Sequence, residues 1–364
     1  MKNFFTFLFS RIDKQLFILL LIILLFSLNL IGQAVGFNSS FFFKQLLFIF
    51  SGVILFIVIS ILNLKFLFRY SLIIYILSVL LLVLTAFIGT EINGSRRWLD
   101  FGLFKLQSSE ILKFTLPIFL VSLIDHFKNR SQTLTELVFL CISFIPFFII
   151  LKQPDLGSGL IILFSGLIII FLNGLSIKKI VISIFSFLIL LPYAWINILK
   201  DYQKGRILNL IDPFSNPLDG GYHAIQSSIA IGSGGLFGKS SEFSSQHDLL
   251  FLPETHTDFI FAVLSENYGF LGNIIFFLIF FLFAYRLINI SINLHSHSHR
   301  LLAMTYVMIF TLCFLINIAM VSGLFPIVGI PLPLISYGGS SLFIYLIMFA
   351  LINSLHYNKT IIAD

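Results

Sequence analysis

Charge is what this 364-residue chain has least of: Asp, Glu, Lys and Arg together make up 10% of it. A soluble domain carries roughly 25%, so a water-soluble globule is excluded. Cysteine is scarce too. The two that occur, Cys141 and Cys313, lie inside apolar runs, so neither a disulfide framework nor a cysteine metal site is indicated. No cleavable signal is expected, because Arg11, Asp13 and Lys14 interrupt the N-terminus before the first long apolar run. Low-complexity linkers, persuasive internal repeats and a soluble domain are missing as well. Disorder is excluded by the 16% of aromatic residues, which cannot all stay solvated.

What is present in quantity is apolar: 58% of the residues, with a mean hydropathy of +1.04. A bilayer helix needs about 20 apolar residues. Runs between polar breaks predict ten helices, at 16–32, 41–63, 71–89, 109–125, 135–151, 159–173, 180–198, 258–287, 301–323 and 341–356. The eighth is long enough to tilt or kink. The expected fold is therefore an all-α polytopic membrane protein, one integral membrane domain over 1–364. It should carry a large outer loop, 199–257, between helices 7 and 8, and a re-entrant Pro/Gly-rich segment before helix 10.

The net charge of +6 would suggest nucleic acid in a soluble protein. Here it reads as orientation. Twelve of the 22 basic side chains, among them Lys14, Lys65, Lys128, Lys178 and Arg300, fall in short segments on one face. By the positive-inside rule that face, with both termini, is cytoplasmic. The opposite face keeps the longer polar segments: 90–108, the 152–158 turn, 199–257 and 324–340. Loops of such length in a compact protein are usually functional.

Five segments there could carry chemistry. In Phe251-Leu-Pro-Glu-Thr-His-Thr-Asp-Phe-Ile260, the ionisable residues Glu254, His256 and Asp258 stand where the long loop enters the eighth helix. Charge at membrane depth costs about 2.5–3.5 kcal/mol and is by default functional. Asp258 could equally be a helix N-cap beside Thr257. Glu266 follows roughly two turns on, either as a functional group or as a buried partner for a cation.

The second segment is Asn93-Gly-Ser-Arg-Arg-Trp-Leu-Asp100 with Gln107-Ser-Ser-Glu-Ile-Leu-Lys113. Glu110 and Lys113 can pair at i,i+3. Arg96 and Arg97 could grip a pyrophosphate, or anchor the chain at headgroups with Trp98. Third, in Lys152-Gln-Pro-Asp-Leu-Gly-Ser-Gly159, Pro154 and Gly157 explain a turn, but Asp155 is not needed for one.

Fourth, Ile231-Gly-Ser-Gly-Gly-Leu-Phe-Gly-Lys239 fails the spacing of a nucleotide loop, which is rejected, while a backbone nest for lipid phosphates stays open. Just upstream, Tyr222–Ile231 is mildly amphipathic and suits the interface. Fifth, Phe325 to Ser341 is apolar but too rich in Pro and Gly for a regular helix, so it should wall a cavity. His295, His297 and His299 lack a carboxylate or thiolate neighbour and read as a solvated loop rather than a metal site.

Taken together, these segments resemble the SEDS family (shape, elongation, division and sporulation), and its RodA branch more than its FtsW branch. The resemblance rests on Ser95-Arg-Arg-Trp-Leu-Asp100, Gln107-Ser-Ser-Glu110 with Lys113, and Gln153-Pro-Asp-Leu-Gly157. It continues through Asp212-Pro213, Gly221-Tyr-His223, Ile225-Gln-Ser227, Ala230-Ile-Gly-Ser-Gly-Gly235 and Phe251-Leu-Pro-Glu254. His256-Thr-Asp-Phe-Ile-Phe-Ala262, Asn317 through Gly323 and Pro331 through Ser340 complete it. The segments run in family order over about two-thirds of the chain. Departures are modest: Arg96 stands where a neutral residue is common, and Asn267 replaces a usual glutamate.

The resemblance implies a peptidoglycan glycosyltransferase in the bacterial cytoplasmic (inner) membrane, serving cell elongation and rod shape. It would polymerise lipid II onto a growing glycan chain at the outer leaflet. Asp258 would be the general base. Arg97, Lys113 and Lys239 would stabilise the leaving pyrophosphate, and Glu110 and Asp155 would organise the cavity. Glu254, His256 and Glu266 belong to the same candidate site. A divalent cation (Mg or Mn) is chemically compatible, with no ligand set visible; no nucleotide and no nucleic acid are implied. The implied partners are a class B penicillin-binding protein transpeptidase and other membrane proteins of the elongation complex. A lipid-precursor flippase or transporter and a non-catalytic scaffold for the transpeptidase are the alternatives.

Overall fold

The computed structural model describes residues 11–92, 95–102, 104–197, 199–215, 221–239 and 255–357. Its long helices are α1 (Lys14–Val35), α2 (Ser40–Ile61), α4 (Ser71–Ile88), α5 (Ser108–Phe127), α6 (Gln132–Lys152), α7 (Leu156–Leu172), α8 (Ile177–Asn197), α11 (Ile260–Ile292), α12 (His297–Val321) and α13 (Gly339–Tyr357). Each coincides with one of the ten expected runs to within five residues at either end. Eight are long and apolar enough to cross a membrane. Of the other two, α7 is shorter at 17 residues, and α5 carries Glu110, Lys113 and Asp125. The fold is that of an all-α polytopic membrane protein.

Side-chain caps start several of these helices where the sequence supplies them. The Asp13, Ser39, Ser131 and Asp155 side chains accept from the amides of Leu16, Phe42, Leu134 and Ser158, satisfying donors that the helix itself cannot. Burial then sorts the apolar helices. α12 and α13 are the most enclosed, while α2, α4 and α8 expose leucine, isoleucine and phenylalanine along their length. Apolar side chains facing out are tolerated because lipid tails are as apolar as leucine. Gly52 lets α13 lie close along α2: a Cβ there would sit 3.1 Å from Leu342 Cδ2.

Two departures from expectation concern segments read as loops. Three short strands, β1 (Thr90–Ile92), β2 (Ser95–Asp100) and β3 (Lys105–Gln107), form an antiparallel sheet in the order β1-β2-β3. The strands are too short for a periodicity to show. The 199–257 segment contains α9 (Asp201–Ile211), a 3-10 turn (Pro213–Ser215) and α10 (Tyr222–Ser233). A short helix, α3 (Lys65–Arg69), precedes α4.

The long helix α11 is broken at Gly269, whose φ of 63° and ψ of −161° only glycine adopts readily. The break is filled by the glycine-rich stretch after α10. Lys239 N donates to Glu266 O (2.8 Å), Phe270 N to Gly235 O (2.9 Å) and Leu271 N to Leu236 O (3.1 Å). A Cβ on Gly238 would lie 2.7 Å from Tyr268 Cα. These glycines therefore admit one backbone into another helix's interrupted ladder, and the nest for lipid phosphates is not what they form.

Candidate active site

The residues singled out in the sequence gather at the loop-rich end of the bundle, around the irregular segment 324–338 that links α12 to α13. Most of 328–336 is buried, and buried backbone without regular structure needs side-chain partners. It has them. Asn317 of α12 donates to Ile330 O (2.7 Å) and to Asp258 O (2.9 Å). Ser27 of α1 donates to Ile335 O (2.8 Å). Ser336 Oγ accepts from Leu332 N and donates to Thr257 O (2.6 Å). Tyr337 N donates to His256 O (2.8 Å), and Gln45 of α2 accepts from Gly338 N (3.4 Å).

The same bonds fix the turn 255–259 that carries Asp258 into α11. The helix N-cap is Phe259, with no side-chain cap, so Asp258 is not the cap that one reading allowed. Its carboxylate faces Gly329, where a Cβ would lie 3.4 Å from Asp258 Oδ2. Gly329 has φ +71°, a backbone conformation that favours glycine. The ring of His256 packs with Phe41 (4.9 Å between centroids) and Tyr337 (5.5 Å), which holds the turn against α2.

A second cluster braces the other side of 324–338. Arg97 on β2 donates to the carbonyls of Gln153 (3.3 Å) and Pro154, and its Nε lies 3.8 Å from Asp155 Oδ2. Gln107 reaches the same carboxylate oxygen (3.3 Å). Asp155 is buried and caps α7. Two residues further, Gly157 abuts the irregular segment: a Cβ there would lie 2.6 Å from Val328 O and 3.2 Å from Ile330 Cγ1. Arg97 and Asp155 are thus tied, through Gly157 and residues 328–330, to the backbone that faces Asp258.

Glu110 and Lys113 form a buried ion pair of 2.6 Å on α5, both nearly inaccessible. Glu110 Oε2 has no hydrogen-bond partner among the described residues, and neither have the nearby helix hydroxyls of Ser109 and Thr115. Glu266 is buried on α11 just before the break. Lys239 enters through its backbone, while its side chain is half-buried. Glu254 lies outside the described residues. Among the described residues no three His, Cys, Asp or Glu side chains could hold a metal ion together. His297 instead contacts Asn173 Oδ1 (3.3 Å) and His299 packs on Phe68 (5.1 Å) at the opposite end.

Sequence reasoning missed Asn317, Ser336, Gln45 and Ser27 as site-building residues. Each is a polar side chain within an otherwise apolar helix or segment, a signal that was available.

Fold and site define a polytopic membrane protein whose irregular, buried backbone presents a carboxylate at one end of a helical bundle. The chain belongs to the FtsW/RodA/SpoVE family, described as "Cell cycle protein", whose pattern matches residues 10–361. It is 35% identical over 357 residues to the peptidoglycan glycosyltransferase MrdB of Escherichia coli K12, covering 97% of this chain and 95% of that one. Identity to MrdB of Helicobacter pylori J99 is 38% over 317 residues, covering 84% and 80%. Stage V sporulation protein E of Bacillus subtilis is 33% identical over 328 residues, covering 88% of each.

Two solved structures share the fold. A chain of a peptidoglycan synthase complex that coordinates polymerization and crosslinking matches with TM-score 0.83 and 27% identity, covering 97% of this chain and 99% of that one. The rod shape determining protein RodA of Thermus thermophilus matches with TM-score 0.72 and 24% identity, covering 96% and 98%.

Proposed function

We propose that this chain is a RodA-like peptidoglycan glycosyltransferase that polymerises lipid II during cell elongation. The observation that carries this reading is Asp258: a carboxylate not used as the α11 cap, held by the Asn317 and Ser336 bonds at the mouth of a buried irregular segment. In this reading the loop-rich end faces outward and both termini are cytoplasmic, as the basic bias of the short loops requires.

The reaction joins two lipid-linked sugars. The acceptor's 4-hydroxyl oxygen bonds to the donor's anomeric carbon, and the bond from that carbon to the pyrophosphate oxygen breaks. Asp258 takes the hydroxyl proton, and undecaprenyl pyrophosphate leaves with the electron pair. A base for this step must reach the hydroxyl it deprotonates, and the rigid turn 255–259 fixes its direction. Arg97 and Lys113 act at one remove. The first holds the 153–155 turn and the second the Glu110 carboxylate, so both set the shape of the cavity. Lys239 stands as a leaving-group contact, and Glu266 supports the α11 break.

A single carboxylate fits an ion shared with substrate better than one caged by protein. A divalent cation (Mg or Mn), when bound, would be held by Asp258 and substrate phosphates and would neutralise the departing pyrophosphate.

The partner in this reading is a class B penicillin-binding protein, with other elongation-complex proteins around it; the solved neighbour that coordinates polymerization with crosslinking supports the pairing. The flippase alternative expects comparable polar equipment at both ends, whereas the elements that build irregular buried backbone concentrate at one. The test is glycan synthesis by the purified protein, with and without its transpeptidase, from lipid II. Glycan strands are expected. Translocation of lipid II without any glycan product would overturn the assignment.

A further inference from the structure

At the loop-rich end a cavity of about 330 Å³ lies between the start of α2, the β2–β3 hairpin and the backbone on either side of the site. Two cations line it, Lys44 of α2 and Lys105 of β3, with the rings of Phe41, Phe48, Trp98 and Phe104 around them. Thr257 and Tyr337 form the wall toward the site, so the residue before Asp258 in the chain is part of this cavity. Its volume is near the lower end of small-ligand sites, roughly 300–1,000 Å³.

The charge here is unusual in two ways. Neither Lys44 nor Lys105 makes an ion pair or a side-chain hydrogen bond among the described residues. Asp100, which stands opposite Lys105 in the β2–β3 register, turns its carboxylate to Gly102 N instead (2.7 Å). Both lysines also sit at the end of the bundle opposite the short basic loops, so the positive-inside rule does not account for them. By contrast, Arg97 and Lys113, the cations that sequence reasoning assigned to the pyrophosphate, already have protein partners.

The occupant must therefore be anionic, multiply charged and attached to something apolar. A lysine offers a compact point charge with rotatable donors that suits phosphate, and two suit a diphosphate better than a single phosphate. The open aromatic rim suits a hydrocarbon chain. We propose that this cavity binds the pyrophosphate headgroup of one polyprenyl-linked substrate, with Lys44 and Lys105 as its cationic contacts and the prenyl chain leaving along Phe41, Phe48 and Phe104. The proposal rests on the glycosyltransferase reading and deepens it by placing one of the two lipid substrates.

The wall explains how binding reaches the site. Gln45, adjacent to Lys44, accepts from Gly338 N, and Tyr337 N donates to the carbonyl of His256. A headgroup seated on Lys44 thus touches the elements that position Asp258.

The experiment uses the full chain in nanodiscs of zwitterionic phospholipid and measures binding of undecaprenyl pyrophosphate, which carries no sugar and needs no catalysis. Undecaprenyl monophosphate and phosphatidylglycerol serve as competitors. Lys44→Gln and Lys105→Gln should each weaken pyrophosphate binding about tenfold, the size of one lost charge-assisted contact. The double variant should lose more, and Lys44→Arg with Lys105→Arg should restore most of it. Both positions are exposed, so the thermal midpoint should stay near that of the parent. Unchanged pyrophosphate affinity in the double variant overturns the proposal. So does phosphatidylglycerol competing as well as the pyrophosphate lipid, which would mark a general headgroup surface. Because Asp258→Asn should bind the probe normally, a failure of this site and a failure of the polymerase reading give different results.

Discussion

At the end of the bundle where the described chain begins, Asp13 uses both carboxylate oxygens. Oδ1 accepts from Leu16 N (2.9 Å) and Arg286 Nε (3.0 Å), and Oδ2 accepts from the Arg286 guanidinium (2.5 Å). Asn353 closes the network, accepting from Asp13 N and donating to Arg11 O, both at 2.9 Å. At the loop-rich end the buried Glu110 uses one oxygen for Lys113 and leaves the other without a partner among the described residues, as Asn317 leaves its Oδ1. An unsatisfied buried polar atom costs about 1–3 kcal/mol, and native structures keep few of them. The first network ties α1, α11 and α13 together with both carboxylate oxygens of Asp13 engaged. The other carries a standing cost, as sites that must receive substrate do.

Disrupting each network in turn should affect the two ends of the bundle differently. The largest effect on stability is expected at Glu110. Replacing it by Ala strands the buried Lys113 ammonium, which should cost about 3–5 kcal/mol. Replacing both by apolar residues (Glu110→Leu with Lys113→Met) should cost clearly less, as read by thermal unfolding in detergent. Additive losses would show that the pair is not coupled.

Next comes Asp13→Ala, which removes charge-assisted bonds worth on the order of 1.5–3 kcal/mol each. It should lower the thermal midpoint while leaving polymerisation per folded molecule unchanged. A selective loss of rate would erase the contrast between the two ends.

Gly157→Ala should cost about 1–3 kcal/mol, the usual range for overpacking, because the new Cβ meets Val328 O. Unlike Asp13→Ala it should also slow polymerisation, since Val328 is joined to the Gly329 backbone that Asp258 faces. A Gly157→Ala protein with full activity would uncouple the 153–158 turn from the site.

The smallest effect is on pH dependence. Burial pushes the Asp13 carboxyl up, but the Arg286 and Leu16 hydrogen bonds and the nearby Arg286 and His356 charges outweigh it and hold it below the usual carboxylate value. A depressed folded pKa means stabilisation that is complete above the unfolded value, about 3.9, and lost as pH falls through the folded one. The parent should therefore lose stability below pH about 4, more steeply than Asp13→Asn does. Parallel curves would contradict this.

The sequence showed much of this arrangement and hid a definable part. Apolar runs located all ten long helices, because a twenty-residue apolar stretch has few other uses. The Glu110–Lys113 pair was legible from its spacing alone. The sheet of β1, β2 and β3 was not, because strands of three to six residues carry no measurable alternation and form here against α4 and α5. Nor was the pairing of the 234–239 glycines with the Gly269 break, a contact made across about thirty residues of sequence. Arg97 shows the limit most clearly. Its charge was read as aimed at substrate, and the structure aims it at the Gln153 and Pro154 carbonyls. Residue type announces that a charge matters, while only geometry says what it faces.

The contrast between the two ends turns on Asp258, and one substitution tests it most directly. Asp258→Asn keeps size and hydrogen-bonding capacity and removes the oxygen that accepts the proton. General-base catalysis is worth roughly 10²–10⁴-fold. The variant should therefore keep the parental thermal midpoint and bind lipid II, while the purified protein with its transpeptidase forms glycan strands at least about 10²-fold more slowly. A well-folded Asp258→Asn protein that polymerises lipid II at the parental rate would contradict the account.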